Sequence, residues 1–149
     1  MPDALSYELH KLAAGLDSAA DALLRREVGV SYSRFLALFA VRETAGSQRD
    51  MARWLGLSEP STSRMVGVLV ADGLVTVART AGEGNRRRLN LSDQGIQLVA
   101  RGSYMLENRF ADLVKRSGVP FATYQRYTRR LLAQLEADRH DTQIRRDLA

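Results

Sequence analysis

Residues 56–68 read GLSEPSTSRMVGV. Ser61, Thr62, Ser63 and Arg64 put three hydroxyls and a guanidinium at the start of an expected helix. Hydroxyls donate and accept, and arginine's planar fork bonds two acceptors at once, which suits phosphate and the guanine edge. A helix that only had to pack would not need that set. At about 100° per residue, Thr62, Met65, Val66, Leu69 and Val70 fall on one side. Pro60, Arg64, Gly67 and Ala71 fall on the other, flanked by Ser61, Ser63 and Val68. The candidate contact set is Pro60, Ser61, Thr62, Ser63, Arg64, Gly67 and Val68. A glycine inside a helix costs about 1 kcal/mol relative to alanine. Gly67 therefore reads either as room for close approach or as drift.

A second cluster is Arg86-Arg87-Arg88, with Arg79 upstream across the turn Thr80-Ala81-Gly82-Glu83-Gly84-Asn85. At strand period Arg86 and Arg88 share one face, and Arg87 shares the other with Leu89 and Leu91. A basic hairpin beside a polar helix can reach a sugar-phosphate backbone or the minor groove, and the alternative is a solvated hairpin with a routine basic run. The balance of the chain agrees. The net charge is +5, and Lys11 and Lys115 are the only lysines among 22 basic residues.

Other chemistries find less support. No cysteine is present among the 149 residues, which removes disulfide frameworks, thiolate zinc sites and cysteine redox sensing. His10 and His140 lie near opposite ends, neither with a second ligand at metal spacing. No nucleophile elbow or glycine-rich phosphate loop occurs, and the spacing of Asp17, Asp21 and Glu107 does not suggest a shared site. The expectation is therefore no enzyme, cofactor or metal. No apolar run approaches the ~18 residues of a membrane span, and the N-terminus does not read as a signal peptide, so a cytoplasmic protein is expected.

The elements that must position these residues are mostly helical. Leu5, Leu9, Leu12, Leu16, Ala19 and Leu23 form a narrow apolar stripe on a helix over about residues 4–27, which suits packing at home or on a partner helix. Ser31-Tyr32-Ser33 offers caps for an apolar second helix containing Phe35, Leu36, Leu38, Phe39 and Val41. Ser47-Gln48-Arg49-Asp50 opens a third helix, which Gly56 stops. Ser58 then caps a fourth, running to Asp72 and stopped by Gly73. Two short helices about a tight glycine turn form a helix-turn-helix. Residues 74–79 and 86–91 form a β-hairpin, which must lean on the helices because two strands alone are marginal. Ser92 caps a long fifth helix to about Ser117, and Gly118-Val119-Pro120 breaks it. A sixth helix covers about 121–139, with Tyr124, Leu131, Leu132 and Leu135 as its apolar set, and a polar tail frays from His140.

In this order the pieces resemble the MarR family of winged helix-turn-helix regulators. The resemblance spans about residues 5–139. It rests on QRDMARWLGLSEPSTSRMVGVLVADGLV (48–75), RTAGEGNRRRLNLSDQG (79–95) and the Leu-x-Leu-Ser-x-x-Gly run 89–95. Where the family's wing reads Asp-x-Arg, this sequence has Glu83 and Asn85, with Arg86 one residue along. Gly67 stands where the family often carries a charge, and Pro120 replaces the usual hydroxyl cap.

The resemblance implies a mainly α fold with a small β-hairpin wing and terminal dimerisation helices. It implies one domain over 1–149: a DNA-binding lobe at 31–95, dimerisation helices at 4–28 and 96–139, and the tail 140–149. Double-stranded DNA is the expected partner, read by the fourth helix, by the wing residues Arg79, Asn85, Arg86, Arg87 and Arg88, and by Ser47, Gln48 and Arg49. A homodimer is expected through Leu5, Leu9, Leu12, Leu16, Tyr124, Leu131 and Leu135. A repressor on a palindrome, released by a small aromatic or phenolic effector, is the implied function. Tyr7, His10, Phe35, Phe39, Met105 and Arg109 are the expected effector-lining residues. The alternative is a non-specific architectural DNA binder or a protein-interaction module on the same scaffold.

Overall fold

The computed structural model describes residues 4–79 and 87–147, with side chains to residue 140. The order is α1 (Leu5–Val28), α2 (Tyr32–Glu43), α3 (Gln48–Leu55), α4 (Glu59–Ala71), β1 (Val75–Arg79), β2 (Arg87–Leu91), α5 (Asp93–Ser117) and α6 (Phe121–Asp147). The chain divides into two compact units, Met1–Leu106 and Glu107–Ala149. The first unit takes in the start of α5 as well as α1, whereas the sequence reading ended the DNA-binding lobe at residue 95.

The helix starts follow from short polar side chains that satisfy orphan amides. Ser31 accepts from the Arg34 amide at 3.2 Å, Ser47 from Asp50 at 3.3 Å, and Ser58 from Ser61 at 3.2 Å. Ser92 accepts from Gly95 at 3.0 Å and donates to the Gly73 carbonyl at 2.7 Å, tying the start of α5 to the end of α4. Gly56 closes α3 in the left-handed region at φ 65°, so the chain turns within two residues into the cap of α4.

In the first unit, one face of each helix meets a common core. Leu24, Leu38, Met51, Leu69 and Val99 are fully buried there. The start of α5 crosses α2 and α1 closely: a Cβ on Gly102 would sit 2.5 Å from the Phe35 ring and 3.1 Å from Leu24. Asp21 of α1 fixes α2. Its carboxylate accepts from the Tyr32 amide at 2.8 Å and from Arg25 Nε at 2.6 Å. The Arg25 hydrogen bond, then the Tyr32 amide, hold that carboxyl below its usual range. Burial, with Asp17 adding to it, pushes the Tyr32 phenol upward.

The hairpin is antiparallel, pairing Val75 with Leu91, Val77 with Leu89 and Arg79 with Arg87. It does lean on the helices. A bridge between Ser47 and Arg88 continues the sheet into the α2–α3 corner, and Leu89 donates to the Gly46 carbonyl at 2.9 Å. Gly46 has φ 82°, and a Cβ there would collide with the Leu89 carbonyl.

In the second unit, the ring of Phe110 lies 6.5 Å from Phe121 and 6.1 Å from Tyr124. Helix α6 runs to Asp147, past the expected end at residue 139. Residues 121–147 hold no glycine or proline, so nothing breaks the helix where its apolar residues give out.

Candidate nucleic-acid interface

Helix α4 presents the expected two faces. Val66 and Leu69 are buried, whereas Pro60, Ser63, Arg64, Gly67 and Val68 are exposed and Ser61 is half-buried. Two assignments need correction. Thr62 is 0% exposed, and its hydroxyl donates to the Ser58 carbonyl at 3.0 Å, so it belongs to the core and not to the contact set. It lies at the centre of the apolar side, and back-bonding to the preceding turn lets a threonine hide its hydroxyl there. Val70 is 39% exposed, because it stands at the edge of the buried stripe.

The first turn of α4 is internally braced. The Ser58 hydroxyl donates to Ser61 Oγ at 3.0 Å, and Arg64 Nη2 donates to the same oxygen at 3.2 Å. Ser61 thus accepts twice, which leaves its own O–H for an outside acceptor. No carboxylate pairs with Arg64 among the described residues. Its remaining N–H groups are available on the exposed face. A Cβ on Gly67 would meet nothing within 4 Å, so no internal contact requires glycine at that position.

The other expected contacts divide by role. The Ser47 hydroxyl is occupied as the α3 cap. Gln48 is half-buried, and Arg49 is exposed with its Nε 3.5 Å from Glu59. Arg79 and Arg87 face each other across the hairpin with no carboxylate partner among the described residues. Arg88 points to the opposite face and donates from Nε to the Ala45 carbonyl at 3.2 Å. Asn85 and Arg86 lie outside the described residues, as does the hairpin tip.

Of the expected effector residues, Phe35 and Phe39 are brought together, with ring centroids 6.4 Å apart. Tyr7 and His10 are exposed on α1, and Phe35 is in the core. Phe39 packs against Trp54 with ring centroids 5.9 Å apart and planes tilted by 34°, and the Arg42 guanidinium lies 4.3 Å from the Phe39 ring centroid. Met105 is half-buried, and Arg109 belongs to the other unit. None of the six lines the cleft of about 620 Å3 that opens between the end of α2, β2 and α5. Val41, Arg42, Arg88, Leu89, Ile96 and Val99 do. Sequence reasoning missed this cleft because its two arginines are far apart in the chain and no periodicity links them.

The leucines expected at a dimer interface lie open in the single chain. Leu5, Leu9 and Leu12 are exposed on α1, as are Leu131 and Leu135 on α6 and their neighbour Leu132, whereas Leu16 and Tyr124 are half-buried. Among the described residues no group of acidic or imidazole side chains is placed to hold a metal ion, and no helix is long and apolar enough to cross a membrane.

A MarR family model matches residues 28–88, from the end of α1 through the helix-turn-helix into β2. No curated protein matches the chain in sequence. Solved structures match its fold. The S. aureus MepR–DNA complex aligns over 89% of this chain and 94% of that one, at 19% identity and a TM-score of 0.69. The MarR family transcription regulator SP03579 covers 90% and 89%, at 17% identity and a TM-score of 0.75. The M. tuberculosis MarR family protein Rv2887, in complex with salicylic acid, covers 88% and 95%, at 22% identity and a TM-score of 0.66.

Proposed function

We propose that this chain, whose residues 28–88 match a MarR family model and whose winged helix-turn-helix fold aligns with regulators of that family, is a MarR-like, sequence-specific DNA-binding transcriptional regulator. It acts as a homodimeric repressor on a palindromic operator. The observation that carries this reading is the exposed face of α4. Arg64 is steadied by Ser61, no carboxylate neutralises it among the described residues, and Gly67 beside it has no internal partner. That face is narrow, and its polar groups lie in the first turns, where a recognition helix contacts base edges in the major groove. Arg64 reads guanine, and Ser61 and Ser63 donate to bases or phosphates.

The wing adds a backbone contact. Like charges directly opposite on a hairpin are destabilising. Arg79 and Arg87 therefore cost the free protein stability, and a phosphate between the two would relieve their repulsion. Leucines on α1 and α6 supply apolar surface for a second copy, and a dimer on B-DNA sets its reading heads about 34 Å apart. A similar structure holds salicylic acid. The cleft with Arg42 and Arg88 over an apolar floor offers this chain a place for a small aromatic acid. Because the cleft is lined by β2, filling it would bear on the wing and so on release.

The test is selection of bound duplexes from a random pool by the purified protein, followed by titration of the selected duplex against a scrambled one at two salt concentrations. A palindrome bound at least ~1000-fold tighter than scrambled DNA is the expected outcome. Equal, steeply salt-dependent binding to both would instead make the chain an architectural DNA binder.

A further inference from the structure

Glu59 is the first residue of α4, adjacent to the Ser58 cap. It lies in the turn that the proposed docking sends into the groove, yet its charge is the wrong one for approaching phosphates. Its partner is Arg49 of α3, with Nε 3.5 Å from Oε1 across the turn, and both side chains are more than two-thirds exposed. An ion pair that open contributes little to stability. An acidic residue does suit the positive end of a helix, but any first-turn position on α4 would serve that purpose. The placement has a consequence for recognition instead. A carboxylate only accepts hydrogen bonds. In the major groove its matching partner is the exocyclic amino group of cytosine. Arg49 engages Glu59 through one edge, and its Nη groups remain for a neighbouring phosphate.

Resting on the DNA-reading function above, we propose that Glu59 is a specificity residue whose carboxylate, steadied by Arg49, selects cytosine at one position of each half-site. A duplex without an amino group at that position leaves the carboxylate desolvated against the phosphates, so Glu59 also suppresses binding elsewhere.

The experiment is random-duplex selection with the full chain and with the Glu59→Ala and Glu59→Gln variants, with circular dichroism checking that each is folded. The wild type is expected to select a motif with one fixed C·G pair per half-site. Glu59→Ala loses that preference while keeping the rest of the motif, and its ratio of specific to scrambled affinity falls about tenfold as scrambled binding rises. Glu59→Gln moves the preference toward adenine, which an amide reads through N6 and N7. An unchanged motif and unchanged ratio in both folded variants would overturn the inference and leave the DNA-reading function standing. A wild type that selects no motif would overturn that function, and the inference with it.

Discussion

Arg64 Nη2 donates to the Ser61 hydroxyl oxygen at 3.2 Å, one helical turn earlier on α4. The bond restrains a long, exposed cation before any DNA arrives. Ordering such a side chain on binding costs about 0.5–1.5 kcal/mol, and prior restraint reduces that cost. Ser61→Ala should therefore weaken the selected duplex by about 1 kcal/mol, beyond any loss of its own contact, and leave the fold intact. Titration of the variant, with a thermal melt alongside, checks both.

Arg87 is placed differently. It sits on a hairpin opposite another arginine and reads no base in this account. Arg87→Ala should weaken selected and scrambled duplexes alike and reduce the slope of log affinity against log salt by about 1. It should also stabilise the free protein slightly, by removing a like-charge pair. Measuring affinity at four salt concentrations separates this backbone role from base reading.

The α1 and α6 leucines bear on assembly. Leu9 and Leu132 are exposed in the single chain, and a homodimer would bury them. A charge at a buried apolar position is strongly unfavourable. Leu9→Glu and Leu132→Glu should shift sedimentation from dimer to monomer and abolish tight binding to a palindrome, while the helical signal persists. A dimer that survives both substitutions would place the interface elsewhere.

Acid sensitivity follows from Asp21. Its carboxyl is held below the usual range by Arg25 and the Tyr32 amide, so the folded state binds that proton less readily than the unfolded chain. The stabilisation is present above the ordinary carboxylate range, about pH 4, and is lost as pH falls through the lower folded-state value. Asp21→Asn should lower the melting temperature at pH 7 and flatten its decline between pH 5 and pH 3. Parallel melts of wild type and variant across that interval test it.

The legible parts of this protein were local ones. Ser31, Ser47, Ser58 and Ser92 could be read as helix starts because a cap needs only its own hydroxyl and an amide three residues on. The hairpin and the exposed face of α4 followed from periodicity in the same way. Relationships between distant residues were not legible. Arg49 finds Glu59 across a turn, Arg88 binds the Ala45 carbonyl, and the cleft joins Arg42 to Arg88. The hydroxyl of Thr62 suggests a contact residue, although the wheel sets it on the buried side, where it lies. The end of α6 is not legible either, because a drop in apolar residues suggests a stop at about residue 139, where only glycine or proline would enforce one.

The most direct measurement is the affinity of Arg64→Ala for the selected palindrome and for a scrambled duplex, beside the wild type. If α4 reads sequence, Arg64→Ala loses about 1–3 kcal/mol on the palindrome, relaxes the preference at one guanine, and changes little on scrambled DNA. Equal losses on both duplexes, or none on either, would contradict the claim that the exposed face of α4 reads sequence.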